Sequence, residues 1–298
     1  MNAPRVAAAA ERTRVLRGMT LLLTAVALFA FMDAISKYLT RFYPVMMIVW
    51  MRYVFHTLLI IVALVPRRRR GFFKTRRAGL QLLRGFLLVG ASLFFVASLA
   101  HMPLAEASAI SFLAPILVTI LGVVVLGEKV EFARWLAVVG GFVGVLVVVR
   151  PGSGVFSWGG LLPLGTAGCF ASYQVLTRHL AGVDSPYTSL FYSGLVGTLV
   201  LSSSLLFSWV APQSAFHLVL FVLIGALGGT SHLILTKAYD QAPASKLAPF
   251  SYTQLVWASL AGYLFFGDFP DRWSLAGIVI LVGSGVYIAR HQHLNARA

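Results

Sequence analysis

A stretch of 26 residues occurs twice in this chain, and the copies align without a gap. Residues Pro103 to Glu128 read PLAEASAISFLAPILVTILGVVVLGE, and Pro243 to Asp268, 140 positions later, read PASKLAPFSYTQLVWASLAGYLFFGD. Pro103 pairs with Pro243, Ser111 with Ser251, Phe112 with Tyr252, Gly122 with Gly262, Gly127 with Gly267 and Glu128 with Asp268. A fold that uses one unit twice must bring two like pieces together around a shared centre. In a strongly apolar chain that is the ground plan of a carrier.

The medium is set by composition. The chain is 59% hydrophobic and 11% charged, with a mean hydropathy of +0.86, against about 25% charged residues in an ordinary soluble domain. Such a chain cannot coat a water-facing surface. Its one cysteine, Cys169, excludes an intramolecular disulfide and a cysteine-based metal site. The net charge of +15 does not mean nucleic acid. Seven of the 24 cations fall in RRRRGFFKTRR, Arg67 to Arg77, between two apolar stretches long enough to span a bilayer, where basic runs set topology. Four arginines (Arg5, Arg12, Arg14, Arg17) precede an apolar run that continues from Gly18 past Phe31. That run is too long for a signal-peptide core and reads as a first span.

About 20 apolar residues cross the hydrocarbon core. Ten stretches qualify: Gly18–Leu39, Pro44–Val65, Ala78–Ala100, Pro103–Leu126, Phe132–Val149, Trp158–Leu180, Pro186–Trp209, Ala215–Ala238, Ala244–Phe266 and Trp273–Ala289. Five spans per copy is an odd number, so the second copy enters the membrane from the opposite side. The expected fold is an all-α membrane protein of ten transmembrane helices arranged as two inverted five-helix repeats, residues 1–152 and 153–298. The Lys/Arg bias puts both termini in the cytoplasm, with Arg67–Arg77, Lys129, Arg134, Arg178, Arg290 and Arg297 inside. The Gly127-Glu128 turn then faces inward and Gly267-Asp268 outward.

ASAISFLAPILVTILGVVVLGE and ASKLAPFSYTQLVWASLAGYLFFGD, each followed by a tryptophan (Trp135, Trp273) and a Gly-rich last helix, resemble the repeat ends of the drug/metabolite transporter superfamily, EamA type. The segments DAISKYLTRF (Asp33 to Phe42) and WMRY (Trp50 to Tyr53) are similar to one metabolite-transporting branch. The resemblance implies a central cavity lined mainly by spans 1, 3, 4, 6, 8 and 9, with spans 5 and 10 packed away from it. It also implies a bacterial inner membrane. Members of this fold export amino acids, and others take up nucleotide-derived metabolites such as S-adenosylmethionine, or riboflavin.

The residues themselves offer a short set of candidates. Asp33 and Lys37 share a face of the first span. Asp33 is either a cavity carboxylate that meets a substrate amino group or proton, or one half of a local ion pair with Lys37 snorkelling outward. Arg52 and His56 lie four apart on the second span. Arg52 needs a partner, Asp33 being a candidate, and serves as an anchor or as a contact for a substrate carboxylate. Pro115 and Pro249 interrupt spans 4 and 9, and a freed backbone carbonyl at membrane depth favours a cavity lining. Phe112, Tyr252 and Trp257 supply apolar walls there, and Ser111, Ser251 and Gln254 polar contacts; ordinary interhelical packing is the alternative. Tyr173 and Gln174 on span 6 and His232 on span 8 are further polar groups, His232 being a packing or coupling residue. Gly140 and Gly144, with Gly283-Ser284-Gly285, offer small faces that join either the two repeats or two copies of the chain.

No cofactor or metal is called for, and the expected partners are a small-molecule substrate and the bilayer; the oligomeric state stays open. The expectation is secondary transport of amino acids or related small amphipathic metabolites by alternating access, in the export direction. Uptake of a nucleotide-derived metabolite such as S-adenosylmethionine is the alternative within transport. Outside it stands a multi-span membrane enzyme, which would need a denser polar cluster than nine scattered carboxylates provide. A channel would need a continuous polar lining.

Overall fold

The computed structural model of the chain describes residues 3–64, 73–126, 132–150, 158–180, 183–242, 247 and 250–295. Arg67–Phe72, the Gly127-Glu128 turn, Lys129, the inter-repeat stretch Pro151–Ser157, Pro243, Lys246, Pro249 and Arg297 lie outside those residues, as do the side chains of Arg134, Arg178 and Arg290. Among the described residues all regular structure is helical. In chain order the helices are α1 (Ala3–Leu39), α2 (Val45–Leu64), α3 (Ala78–Leu99), α4 (Leu104–Ser111), α5 (Ala114–Leu126) and α6 (Phe132–Val149). They continue with α7 (Leu161–His179), α8 (Pro186–Ser202), α9 (Leu205–Ser208), α10 (Ala215–Gln241), α11 (Thr253–Phe266) and α12 (Arg272–Asn295). The ten spans are these helices with α4 and α5 counted together and α9 appended to α8. Among the described residues five stretches are long and apolar enough by themselves to cross a bilayer: Thr13–Leu39, Val45–Val62, Ala78–Leu99, Leu104–Val124 and Ala215–Leu235.

Departures from the expected boundaries have local causes. The fourth span breaks at Phe112, because Pro115 lacks a backbone donor and its ring crowds the Ser111 carbonyl; Phe112 leaves the helix with ψ near 2°. The corresponding residue of the second copy, Tyr252, marks the start of α11 with ψ −15°. The seventh span ends early because Ser202, Ser203 and Ser204 turn their hydroxyls back onto the carbonyls of Thr198, Val200 and Leu201, which competes with helix continuation. Upstream, the alanines at 7–10 extend α1 beyond the expected start, as the best helix former should.

The contacts between spans form a closed ring: α1, α10, α2, α8, α3, α7, α4–α5, α11 and back to α1. Every neighbour in this ring comes from the other repeat. The repeats are therefore interleaved and do not form two separate lobes. The remaining helices, α6 and α12, pack on each other outside the ring against α4.

Corresponding helices of the two repeats touch in three places: α2 with α8, α4 with α11, and α6 with α12. Contacts between equivalent elements lie on a two-fold axis. The equivalent residues Phe112 and Tyr252 sit on it, their ring centroids 5.2 Å apart.

Lipid gives helices no hydrophobic drive to associate, so close approach must supply the attraction. Glycines make that approach possible. A Cβ on Gly144 would lie 2.9 Å from the Gly277 carbonyl oxygen, and one on Gly85 would lie 2.7 Å from Val196. Gly225 leaves no room for a side chain against Phe55, nor Gly197 against the Tyr53 ring. The small faces of spans 5 and 10 thus meet each other within one chain, which answers the question their sequence left open.

Candidate functional site

The ring is tied at the end that carries Lys37. Lys37 Nζ donates to Asp268 Oδ2 at 2.7 Å and to the Met102 carbonyl at 3.1 Å, and it lies over the Phe266 ring. Asp268 reaches it because Gly267 adopts φ +72°. With the Gly267 amide on the Tyr263 carbonyl and the Asp268 amide on that of Gly262, this is the left-handed helix cap that glycine allows. The sequence offered, as one reading, a local ion pair of Lys37 with Asp33, Lys37 snorkelling outward. The structure corrects the pairing, since a carboxylate 231 residues away takes the ammonium. At the same end, Ser274 donates to Glu106 at 2.8 Å, Arg150 pairs with Asp271 at 2.7 Å, and Tyr43 meets His217 at 2.8 Å.

Asp33 lies one turn below Lys37. Val26, Ala30, Asp33 and Lys37 form a stripe along α1 and are all buried, while Thr24 and Phe31 on the other side are exposed. The stripe runs between the faces that α1 gives to α10 and to α11, so it looks into the ring. Helix α2 behaves alike: Ile48, Arg52 and His56 are buried, and Met46 and Leu58, away from that stripe, are exposed. Asp33 lies six residues before the end of α1 and Arg52 seven after the start of α2, so each is about 10 Å below the Lys37 end at 1.5 Å per residue. They feel each other's charge, but no ion pair joins them. Asp33 is therefore not an ion-pair partner of Arg52, which instead meets Tyr53, its Cζ 5.6 Å from the ring centroid. His232 sits deeper, its ring 4.9 Å from Phe29 and 6.3 Å from His56, within electrostatic reach of Arg52 and of Arg84.

The opposite end holds a polar cluster that sequence reasoning missed. Arg84 donates to Thr177 Oγ1 at 2.7 Å, Tyr173 Oη at 2.8 Å, Gln81 Oε1 at 3.0 Å and the Ser189 carbonyl at 3.2 Å. Gln81 in turn donates to Asp184 and Ser189, and Asp184 accepts from Thr75 and from the Arg76 amide. The carboxyl of Asp184 is raised by burial but lowered by more through its bonds from Gln81, Thr75 and Arg76, and ends below its ordinary range. The signal was available: Gln81 and Arg84 lie three apart just inside an apolar run, and buried ionisable groups demand partners. Tyr173 is held by this cluster, Arg84 lying 4.7 Å from its ring centroid.

The other candidates fall in two places. Phe112 and Tyr252 pack together in an apolar cluster beneath α6 and α12, Tyr252 lying against Gly285. Ser111 bonds back to the Ala107 carbonyl at 2.9 Å, and Ser251, half-buried, precedes the break. Gln254 is half-buried, one turn further on. Trp257 lies 6.4 Å from Phe31 beside the cluster of Leu22, Val26, Ala238 and Leu247, away from Asp33's polar neighbours. The family-implied lining omitted span 2, yet Arg52 and His56 look inward from it.

A sequence profile of the EamA-like transporter family matches residues 16–150 and again 157–290. The chain belongs to the EamA-like transporter family. The EamA chain is 30% identical to a riboflavin transporter of Vibrio cholerae over 95% of its own length and 96% of that protein's. It is 29% identical to an S-adenosylmethionine uptake transporter of Rickettsia prowazekii over 86% of each. A pseudopaline exporter of Pseudomonas aeruginosa is 28% identical over 92% of this chain and 96% of that one. One solved crystal structure superposes with a TM-score of 0.67 at 17% identity, covering 94% of this chain and 99% of the other; that likeness speaks to the fold alone. The chain is thus an integral membrane transporter of small molecules, built from two EamA repeats.

Proposed function

We propose that this EamA transporter moves amino acids or closely related small amphipathic metabolites by alternating access, in the export direction, across a bacterial inner membrane. The observation that carries the reading is the charged, buried stripe of α1 and α2 enclosed by a ring of helices drawn alternately from inverted repeats. A polar group at membrane depth is tolerated where it faces protein or a water-lined interior. Inverted repeats make the two ends of such a ring equivalent in kind, so the conformation of one repeat is available to the other. Because neighbours alternate, access changes by an exchange of shapes between repeats and not by two lobes parting. We place the division between repeats at residues 1–152 and 153–298, and both termini in the cytoplasm, so that the Lys37 end faces outward.

Uptake of S-adenosylmethionine is the second reading, favoured by the Rickettsia relatives. Counterflow in proteoliposomes separates the two: the vesicles are preloaded in turn with each common amino acid, S-adenosylmethionine and riboflavin, and flux is followed at two pH values. Saturable exchange of amino acids supports the first reading. Exchange confined to S-adenosylmethionine replaces it with the second, and exchange of none removes both. Everted bacterial membrane vesicles then give the direction.

A further inference from the structure

Asp33 and Arg52 are opposite charges that form no ion pair with each other, and among the described residues the one side chain that meets Arg52 is the neutral Tyr53. Both are at least nine-tenths buried, both look into the ring, and both lie at the same depth. Arg52 and Met32, the residue before Asp33, flank one glycine of α10, the helix between α1 and α2 in the ring. A Cβ on Gly228 would stand 3.3 Å from Met32 Sδ, next to Asp33, and 3.8 Å from Arg52 Cγ. Asp33 accepts no hydrogen bond among the described residues. Its natural helical neighbour, Lys37, is committed to Asp268 and Met102. The other arginine of the interior, Arg84, is fully engaged with Tyr173, Thr177, Gln81 and Ser189. Burying an ion is costly unless it is paired, so two opposite charges set apart in the interior favour a ligand that pairs with both.

We infer that Asp33 and Arg52 are the two poles of a subsite for the ammonium and carboxylate of an α-amino-acid headgroup, an assignment that rests on the transport reading above. The ammonium donates to the Asp33 carboxylate. The carboxylate accepts from the Arg52 guanidinium, whose planar fork matches it in two parallel bonds. A ligand with one of the two charges leaves the other pole desolvated and unmatched, so the subsite selects zwitterions by penalty as well as by attraction. Gly228 lets α10 pack close to Met32 and the Arg52 stem, and the Lys37–Asp268 tie lies above.

The test uses purified full-length protein in proteoliposomes, with L-phenylalanine and L-methionine, the amine and the carboxylic acid derived from each by loss of one group, and riboflavin. Both amino acids are expected to exchange, with their one-charge analogues about 10- to 100-fold weaker, the loss of one charged hydrogen bond. Asp33→Asn weakens the amino acids by a similar factor but leaves the deaminated acids at least as strong as in the wild type, because their unmatched pole has gone; Arg52→Gln does the converse with the amines. Thermal unfolding in detergent of either variant stays at or above the wild-type Tm, because an uncompensated charge has gone. Equal loss for all ligands, or a marked fall in Tm, identifies a structural pair and overturns the subsite. Amino acids that exchange no better than their one-charge analogues overturn the subsite alone; failure of both amino acids to exchange while riboflavin does exchange overturns the amino-acid reading with it.

Discussion

Among the described residues two arginines, Arg84 and Arg52, are buried in this ring, and they are buried differently. Arg84 enters from one end with four hydrogen-bond partners on α3, α7 and α8. Arg52 enters from the other, has no ion pair, and rests beside the Tyr53 ring. Their exposures, 3% and 9%, barely differ. Burial alone therefore does not tell an anchor from a binding group; the tally of satisfied donors does. Where the fold completes the network, the side chain stabilises the protein. Where it leaves the charge open, stability has been given up for something else.

The strongest way to break this comparison is to replace each arginine with methionine, which keeps the apolar stem. Arg84→Met strands Tyr173, Gln81 and the Ser189 carbonyl, and should lower stability by about 3 kcal/mol. Arg52→Met should leave the Tm unchanged or raise it. Thermal unfolding in detergent reads both. If Arg52→Met proves as damaging as Arg84→Met, the two arginines are both anchors.

A smaller effect is expected at the tie above Asp33. The Lys37 side chain is 11% exposed and that of Asp268 35%, so water screens the pair and its worth is at most about 1 kcal/mol. Lys37→Met or Asp268→Asn should shift the closed–open balance at that end by up to about fivefold. In a Cys169→Ser background, a membrane-impermeant maleimide should label Ala30→Cys, one turn beneath Asp33, faster by that factor. A rate that does not change would mean the tie fixes α11 to α1 without gating the interior.

The same contrast explains what the sequence could reveal. Ten spans and two repeats were legible because apolar length and a gapless duplication are properties of the chain itself. The break at Phe112 was legible through Pro115. Ring order was not, since each helix chooses neighbours from the other repeat and no local pattern records that choice. Lys37 illustrates the limit: helical spacing points to Asp33, but its partner arrives from beyond Gly267 in a left-handed turn. Arg84 was passed over because an apolar run hides one cation, and its partners Tyr173, Thr177 and Ser189 are about 100 residues away. For Asp33 and Arg52 the residue types were legible; that the fold holds them apart was not.

The finest distinction between the two ends is in their response to acid. Asp184 belongs to the saturated cluster, and its folded carboxyl lies below the ordinary value of 3.8, because bonds from Gln81, Thr75 and the Arg76 amide outweigh the opposing effect of burial. A depressed carboxyl contributes stability that is fully present above the unfolded value and is lost as pH falls through the folded one. The difference in Tm between the wild type and Asp184→Asn should therefore be constant from neutral pH down to about pH 5, shrink below 3.8, and vanish once the folded carboxyl is protonated. A difference that already fades between pH 7 and pH 5 would show that Asp184 titrates above the ordinary carboxylate range. The Arg84 end would then be a proton-sensitive element, and the division between a saturated anchor and an open pole would have to be redrawn.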